Sequence, residues 1–326
     1  MSEFQKMIVG AKKILNQCIS IEEEETLLII TDSKMDQVIC DALMEAARFF
    51  SVEPTLVQME QRKMDGDEPP APVASAMMDA DAILCPVSVS ITHTQAVKNA
   101  AKAGSRILVM TAFTRRLMME GGINADFKAQ APICKKLASI FHDGSKIDIK
   151  TPGGTNLQAK IEKRRGNALT CIVKPGQFST LPTIEANVSP VEGTANGIIV
   201  ADASIPYLGI GFLDEPITFK VENGFITDIE ETNQSAILKD NLKSKGNIHV
   251  YNIAEFGVGL NPECKMTGVM LDDEGVLGSA HIGIGSNLTL GGNLKAPIHY
   301  DLVIWKPTVI VDDSLIIKKG ELVFNS

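Results

Sequence analysis

The change of hydrophobic rhythm near residue 145 constrains the fold of this chain more than any other feature. Up to about Asp143, short apolar runs such as LLIITD, AILCPV and RILVMT alternate with longer segments of helical periodicity. This alternation is typical of parallel strands joined by helices that cover both faces of a sheet. We therefore predict an α/β, Rossmann-like N-terminal domain with a parallel sheet over residues 1–144.

From Lys146 onward, strand patterns dominate the chain. The segment KIDIKTPGGTNLQAKIEK has two alternating stretches on either side of a Pro-Gly-Gly turn, which predicts a β-hairpin. Helical patterns are few here, ETNQSAILKDNLKSKG being one of them. Because 326 residues are enough for two cores, we predict a second domain over residues 145–326. It should be a mostly antiparallel, β-rich (α+β) domain that carries the catalytic site.

The N-terminal half contains neither GxGxxG nor GxxxxGK[ST], so the sequence does not predict a nucleotide bound at the start of a helix. His93, in SITHTQAVKNAAKAG, has two interpretations. Either it lines a substrate cleft at the carboxyl end of a strand, or it belongs to a Thr-His-Thr segment that caps the next helix.

Charge and composition restrict the partners. With 31 basic and 40 acidic residues the formal charge is −9, which argues against nucleic acid or an anionic membrane as a partner. No apolar run approaches the roughly 18 to 20 residues of a membrane-spanning helix. The six cysteines form no CxxC pair and follow no signal-peptide pattern. We therefore expect a cytoplasmic protein with reduced thiols and a small-molecule or peptide substrate.

The densest cluster of glycine, histidine and acidic residues runs from Glu255 to Asp301. Side chains alternate faces along a strand, so in HIGIG the side chain of His281 shares a face with two glycines. By the same rule His299 and Asp301 point the same way. Imidazole and carboxylate groups suit zinc, cobalt, manganese or Fe(II), and the cluster offers enough of them for one or two divalent ions. The alternative is an ordinary hydrogen-bonded His-x-Asp pair.

A collinear series of segments resembles aminopeptidase T-type metallopeptidases. In chain order the segments are GGTNLQAKIEKRRG, TLPTIEANVSPVEGTANG, NIAEFGVGLNP, AHIGIGSN, GGN and HYD. The resemblance covers most of the second half, and it implies an α/β N-terminal domain, a β-rich catalytic domain and assembly as a homodimer or higher homo-oligomer.

The same resemblance implies a metal-dependent hydrolase. Its metal-bound water would attack a peptide bond at a free amino terminus, with Glu274 as a bridging ligand or as the catalytic general base. The implied metal ligands are Glu185, Glu255, His281, His299 and Asp301. Two features depart from the peptidases: Glu274 lies seven positions before His281, a longer spacing than theirs, and GSNLTLGG lacks the tyrosine that the peptidases carry there.

A second branch of this superfamily includes the 2,5-dihydroxypyridine dioxygenases. The resemblance implies for that branch a single Fe(II) held by two histidines and an aspartate. One of those histidines lies near the position of Glu255, and a serine lies near the position of His281. Because this chain has a glutamate and a histidine there, we predict a metallo-aminopeptidase-like hydrolase. A ring-cleaving Fe(II) dioxygenase is the alternative, and a binding protein with a decayed metal site is a third hypothesis.

Overall fold

The computed structural model describes residues 1–92 and 94–324, so His93 and the interpretations attached to it lie outside the described residues.

The helices are α1 Glu3–Lys13, α2 Gln37–Phe49, α3 Ala71–Met77, α4 Gln95–Ala103, α5 Arg115–Met119, α6 Phe127–Asp143, α7 Asn233–Ser244 and α8 Met270–Asp273. A π-helical segment spans Ile14–Ile19, and short 3₁₀ turns span Gly121–Asn124, Ile248–Tyr251 and Leu288–Leu290. The strands of the first half are β1 Leu27–Asp32, β2 Pro54–Met59, β3 Ala82–Val87 and β4 Arg106–Thr111. Those of the second half are β5 Lys146–Lys150, β6 Asn156–Lys160, β7 Gly166–Leu169, β8 Phe178–Thr180, β9 Glu185–Val188, β10 Asn196–Ala201, β11 Ser204–Ile205, β12 Gly211–Phe212, β13 Ile217–Glu222, β14 Phe225–Ile229, β15 Ile253–Gly259, β16 Ser279–Gly285, β17 His299–Trp305, β18 Thr308–Val311, β19 Ser314–Lys318 and β20 Glu321–Leu322.

The chain forms two compact units. The first comprises Met1–Ala131 and Leu169–Pro182, and the second comprises Pro132–Ala168 and the chain from Thr183 onward. The boundary predicted between residues 144 and 145 remains a prediction. Two segments lie in the other unit from the one that this boundary would give them. Strand β8 pairs with β4 and so stays with the first unit, whereas most of α6 belongs to the second.

The first unit is built on a parallel sheet. Its strand order is β2-β1-β3-β4-β8, and each pairing is parallel. Every residue of β1 and β3 is buried, as expected for strands covered on both faces. Their apolar side chains join those of α3 and α4 in one core cluster. The predicted α/β fold with a parallel sheet is therefore confirmed.

Helix α4 shows how local sequence defines an element of this unit. Thr94 precedes the helix, and its side-chain oxygen accepts a hydrogen bond from the backbone N–H of Val97. Gly104 ends the helix at φ +115°, a conformation that glycine adopts without steric cost. The segment after His93 therefore serves as a helix cap.

The second unit contains two large sheets. The eight-stranded sheet has the order β14-β13-β10-β6-β5-β18-β19-β20. Its predicted hairpin is present, because β5 and β6 pair antiparallel with Lys146 opposite Lys160. The seven-stranded sheet has the order β12-β11-β17-β16-β15-β9-β7, in which β9, β15, β16 and β17 are antiparallel neighbours. The predicted β-rich second half is confirmed.

Two findings concern the whole described chain. Within the described ranges, no helix combines the length and the apolar character needed to cross a membrane. All six cysteine side chains are buried, and the pKa of the Cys18 and Cys85 thiols is raised by burial.

Candidate metal centre

The candidate site lies on one face of the seven-stranded sheet. Across β15, β16 and β17, Glu255 is opposite Gly283, which is opposite Asp301. Two residues further along these strands, His299 is opposite Gly285. Because residues two apart on a strand share a face, His281 and His299 join the two carboxylates on the same side of the sheet. The alternation predicted from HIGIG and from His-x-Asp is what brings these side chains together.

Two glycines make room for this crowded face. A methyl group on Gly283 would lie 2.7 Å from Cβ of Glu255, 2.8 Å from Cε1 of His299 and 3.0 Å from Oδ1 of Asp301. A methyl group on Gly257 would lie 1.9 Å from Nε2 of His281. Any larger residue at either position would displace the side chains that form the site.

The outer group of donors consists of Glu255, His299 and Asp301. His299 Nε2 lies 2.9 Å from Glu255 Oε2 and 3.5 Å from Asp301 Oδ1. One donor atom from each of the three residues lies within 4.8 Å of the other two. The two carboxylates are almost fully buried, while the His299 side chain is 31% exposed. This group therefore has an accessible side.

The inner group consists of Glu185, Glu255 and His281, and all three residues are buried. His281 Nε2 lies 3.4 Å from Glu185 Oε2 and 3.8 Å from Glu255 Oε1. The two groups share Glu255, which directs one oxygen at each histidine. The arrangement thus has the form expected of a bridging carboxylate between two donor sets.

Hydrogen bonds to neighbouring residues fix the orientation of several donors. The Nδ1 of His299 lies 2.8 Å from the carbonyl oxygen of Ser286. Since a carbonyl can only accept, Nδ1–H is the donor, and the neutral ring then presents the Nε2 lone pair to an ion. Asn187 donates from Nδ2 to Glu185 Oε1 at 2.7 Å. The Tyr207 hydroxyl donates to Asp301 Oδ2 at 2.7 Å.

Buried polar atoms that lack a hydrogen-bond partner indicate whether the site suits a metal ion. In the described part of the chain, Glu185 Oε2, His281 Nδ1 and Asp301 Oδ1 are buried without a hydrogen-bond partner. Buried polar groups are normally paired, and unpaired ones cost free energy. The two carboxylate oxygens face the imidazole Nε2 atoms of the same groups. Three carboxylates and two imidazoles are a donor set that suits Fe(II) and related divalent ions.

The pKa shifts show how strongly the groups interact. Burial lowers the pKa of His281, but the Glu185 and Glu255 carboxylates outweigh it and raise the pKa to about 10. Burial raises the pKa of Glu185 to about 7. Burial also acts against ionised Asp301, yet nearby His299 lowers the pKa of that carboxyl. The ion-free cluster therefore holds protons that a bound cation would replace.

Glu274, the predicted catalytic acid or base, lies beside this cluster. Its Oε1 lies 2.9 Å from the Tyr207 hydroxyl, which also contacts Asp301. Burial, followed by the charge of Asp301, raises the pKa of Glu274 well above its ordinary value. The neighbouring Asp273 has a different environment, because it accepts hydrogen bonds from the Ser204 hydroxyl and from two backbone N–H groups.

Sequence reasoning missed three residues that contact the predicted ligands: Asn187, Tyr207 and Ser286. Asn187 carried a usable signal, since it lies two residues after Glu185 in a strand and therefore shares its face. Tyr207 and Ser286 lie in loops outside the regular strands. No periodicity connects either of them to the ligands.

Comparison with known proteins decides the family. The family model NicX, described as 2,5-dihydroxypyridine 5,6-dioxygenase, matches residues 6–324. The chain belongs to this family. The curated 2,5-dihydroxypyridine 5,6-dioxygenase of Pseudomonas putida is 25% identical over 333 residues, covering 93% of this chain and 92% of that protein.

Solved structures agree on the fold. The 2,5-dihydroxypyridine dioxygenase from Pseudomonas putida KT2440 matches at a TM-score of 0.84 and 20% identity, covering 100% of this chain and 99% of that chain. AmpT from Thermus thermophilus matches at a TM-score of 0.68 and 16% identity, covering 98% of this chain and 99% of that chain. The predicted resemblance is thus confirmed: the family model and the curated relative belong to its dioxygenase branch, and AmpT shares the fold.

The prediction of a hydrolase, whether aminopeptidase or metalloprotease, is wrong. The family model, the curated relative and the better-matching solved structure are all named as dioxygenases. The error came from the weight given to Glu255 and His281. Both side chains lie in the cluster, but the same donor types hold ions for either chemistry, so ligand type alone does not decide the reaction.

Family membership has consequences for the other predictions. The chain is an enzyme, which removes the non-enzymatic hypothesis. A small-molecule substrate and a bound metal are consistent with that family and with the donor groups. The cytoplasmic location, the homo-oligomer, and the exclusion of nucleic acid and membrane partners remain predictions.

Proposed function

We propose that this chain is a non-haem Fe(II) dioxygenase that opens the ring of a dihydroxylated pyridine or a closely related dihydroxylated aromatic. The observation that carries the proposal is the outer donor group, in which two buried carboxylates meet the partly exposed His299. Such an arrangement leaves one side of an ion open to small molecules. The family supplies the substrate class.

Glu255, His299 and Asp301 are the proposed iron ligands. Bound Fe(II) would supply open positions at which substrate and molecular oxygen meet, and the electrons that reduce the oxygen would come from the dihydroxylated ring. The residues contribute the geometry: the Ser286 carbonyl orients His299, and Gly283 leaves the space into which the three donors converge. With one histidine and two carboxylates, this set differs from the two histidines and one carboxylate common in non-haem Fe(II) oxygenases.

The inner group is proposed to support the outer one and to provide a second set of donors. His281 faces one oxygen of Glu255 and thereby helps to hold the other oxygen toward His299. With Glu185 it also completes a second group of three. The proposed stoichiometry is therefore one catalytic iron, with capacity for a second divalent ion, and metal analysis per chain tests it directly.

Glu274 is proposed to exchange a proton with a substrate hydroxyl. A carboxyl whose pKa is raised is a stronger base when ionised and a ready proton donor when neutral. The Tyr207 hydroxyl contacts both Glu274 and Asp301 and so lies between the two carboxyl groups. Proton transfer at this point requires no side chain from outside the cluster.

An oxygen electrode tests the proposal. The chain is loaded anaerobically with Fe(II) and mixed with 2,5-dihydroxypyridine in aerated buffer. We expect one oxygen molecule to be consumed per substrate, together with loss of the aromatic absorption band. Substrate consumption without oxygen uptake, or no reaction with any dihydroxylated pyridine or benzene, would refute it.

Matched histidine variants assign the activity to the site. His299→Ala should abolish oxygen uptake and iron retention. His249→Ala should leave both intact, because His249 Nδ1 contacts only the backbone oxygen of Lys295 among the described hydrogen bonds. Equal loss in both variants would mean that histidine removal acts through folding.

A further inference from the structure

Resting on the proposed function, we infer that Tyr207 is a positioning residue that restricts Asp301 to binding the ion through one oxygen. The two oxygens of Asp301 have different surroundings. Oδ2 accepts a hydrogen bond from the Tyr207 hydroxyl at 2.7 Å. Oδ1 is buried without a hydrogen-bond partner in the described chain and lies 3.5 Å from His299 Nε2. One oxygen is therefore engaged and the other is left for the ion.

The tyrosine is itself held in place. Its backbone forms a tight turn, with Tyr207 N–H donating to the Ile205 carbonyl at 2.8 Å and Ile210 N–H donating to the Tyr207 carbonyl at 2.9 Å. Leu208 has a positive φ of 59°, a conformation that costs free energy for a residue with a side chain. The ring packs against Tyr300 with a centroid separation of 4.9 Å. The hydroxyl position is thus set by the fold before any ion binds.

The same pattern recurs at a second carboxylate on a different strand. Glu185 Oε1 accepts a hydrogen bond from Asn187 Nδ2 at 2.7 Å, whereas Glu185 Oε2 has no hydrogen-bond partner among the described residues. Asn187 is fixed in turn by Asn167, which donates to its Oδ1 at 2.8 Å. Glu255 has no such amide or hydroxyl donor among the described residues and directs each oxygen at a different histidine. Asp301 and Glu185 are therefore each held by a hydrogen bond to one oxygen, whereas both oxygens of Glu255 face histidines.

Restraint of Asp301 matters because a carboxylate can bind an ion through one oxygen or two. Binding through both oxygens occupies a second coordination position. A dioxygenase needs open positions for substrate and oxygen. Removing the Tyr207 hydroxyl frees Oδ2 to turn toward the ion, which closes a position while keeping the metal bound.

The test compares Tyr207→Phe with the wild-type chain, each loaded with Co(II) under anaerobic conditions. Co(II) reports its coordination through visible absorption and needs neither oxygen nor substrate. In Tyr207→Phe we expect full Co(II) stoichiometry, a changed visible spectrum and a kcat with Fe(II) that is about 10- to 100-fold lower. An unchanged Co(II) spectrum would overturn the inference, even if the variant were less stable.

Two further variants sharpen the test. Tyr300→Phe removes the hydroxyl of the neighbouring ring, which contacts Asn241 at 3.1 Å, and should leave the Co(II) spectrum unchanged. Glu274→Gln keeps the Tyr207 hydroxyl beside Asp301, so its Co(II) spectrum should also match the wild type. A changed spectrum in Glu274→Gln would assign the positioning role to Glu274 and overturn the inference for Tyr207.

The Co(II) comparison separates this inference from the proposed function. If the Fe(II)-loaded wild type consumes no oxygen, the dioxygenase proposal fails. The spectra still decide whether Tyr207 controls how Asp301 binds an ion. Circular dichroism of each variant confirms that it is folded, which we expect because phenylalanine keeps the ring that packs on Tyr300.

Discussion

At the scale of single residues, Gly283 determines whether the proposed metal centre can form. It lies between Glu255 and Asp301 in the strand register, at the point where the side chains of both neighbouring strands converge. A strand glycine usually costs free energy relative to alanine, by about 0.5–1 kcal/mol. Here that cost is offset by the space the glycine leaves for three donors.

Gly283→Ala should therefore weaken metal binding without unfolding the chain. The added methyl group would meet Glu255, His299 and Asp301 at 2.7 to 3.0 Å, so at least one donor must move. We expect affinity for Co(II) to fall by at least about tenfold, a loss typical of disturbed metal sites. Gly246→Ala is the control, because a methyl group there meets no atom within 4 Å and its expected effect is limited to the backbone strain of alanine at φ +59°. Unchanged Co(II) affinity in Gly283→Ala would contradict the role given to this glycine.

Proton release upon metal binding follows from the shifted pKa values. In the ion-free protein burial lowers the pKa of His299, a proposed ligand, but the Asp301 and Glu255 carboxylates outweigh it and raise that pKa well above its ordinary value, which favours a protonated ring at neutral pH. An ion needs the neutral ring, and binding must displace the proton. Apparent Co(II) affinity should therefore rise with pH between 6.5 and 8.5, by up to about tenfold per unit for each proton displaced. Titration in weakly buffered solution measures the released protons, and pH-independent affinity would contradict this expectation.

At the scale of elements, an ion pair between a buried arginine and a partly exposed glutamate secures the loop that follows β16. Arg164 and Glu192 form the pair, and Arg164 also donates to the carbonyl of Gly291 at 2.9 Å. Glu192 Oε1 accepts from the Asn287 side chain and from the Asn293 backbone, each at 2.8 Å. This loop begins with Ser286, whose carbonyl orients His299. The ion pair thus supports a proposed metal ligand through the loop.

Glu192→Ala should loosen this loop and destabilise the fold. The change leaves the buried Arg164 guanidinium without its carboxylate, and because the Glu192 side chain is itself 24% exposed we expect a loss of about 1–3 kcal/mol, less than for a fully buried pair. Urea unfolding measures the loss, and hydrogen exchange should rise selectively over residues 286–294. Glu162→Ala is the matched control, because its pair with Lys160 is exposed and worth at most about 1 kcal/mol. Equal effects of the two variants would argue against a special role for Glu192.

At the scale of the whole molecule, metal binding should couple to stability. The site gathers donors from β9, β15, β16 and β17, which exist together only in the folded second unit. An ion that binds the folded state alone stabilises it by about 2.7 kcal/mol when its concentration is 100 times Kd.

We therefore expect Co(II) to raise Tm and a chelator to reverse the increase. Differential scanning calorimetry under anaerobic conditions measures both changes. In Asp301→Asn the metal-dependent increase should be absent or much smaller, while the chelator-treated variant still unfolds cooperatively. An identical Tm increase in the wild type and this variant would place the bound ion elsewhere in the molecule.

Much of the fold and part of the site could be predicted because the relevant signals are local. Continuous apolar runs joined by helical patterns indicated the parallel sheet, and the Pro-Gly-Gly turn indicated the β5–β6 hairpin. The two-residue spacing of His299 and Asp301 placed both on one face, and the structure has them there. These predictions depend on backbone periods that any strand or helix obeys.

Tertiary structure decided which side chains come into contact at the site. Glu185 joins the centre because β9 pairs with β15 in a register that places Glu185 opposite Gly259, some 70 residues later in the chain. Tyr207 reaches Asp301 from a turn that no periodicity marks. The segments exchanged between the two units, β8 and α6, also follow from pairing with distant strands and residues. Strand register and loop position arise from contacts between residues far apart in sequence. The local sequence pattern therefore determined which side chains could bind an ion and on which strand face each lies. Only the fold determined which of them come together.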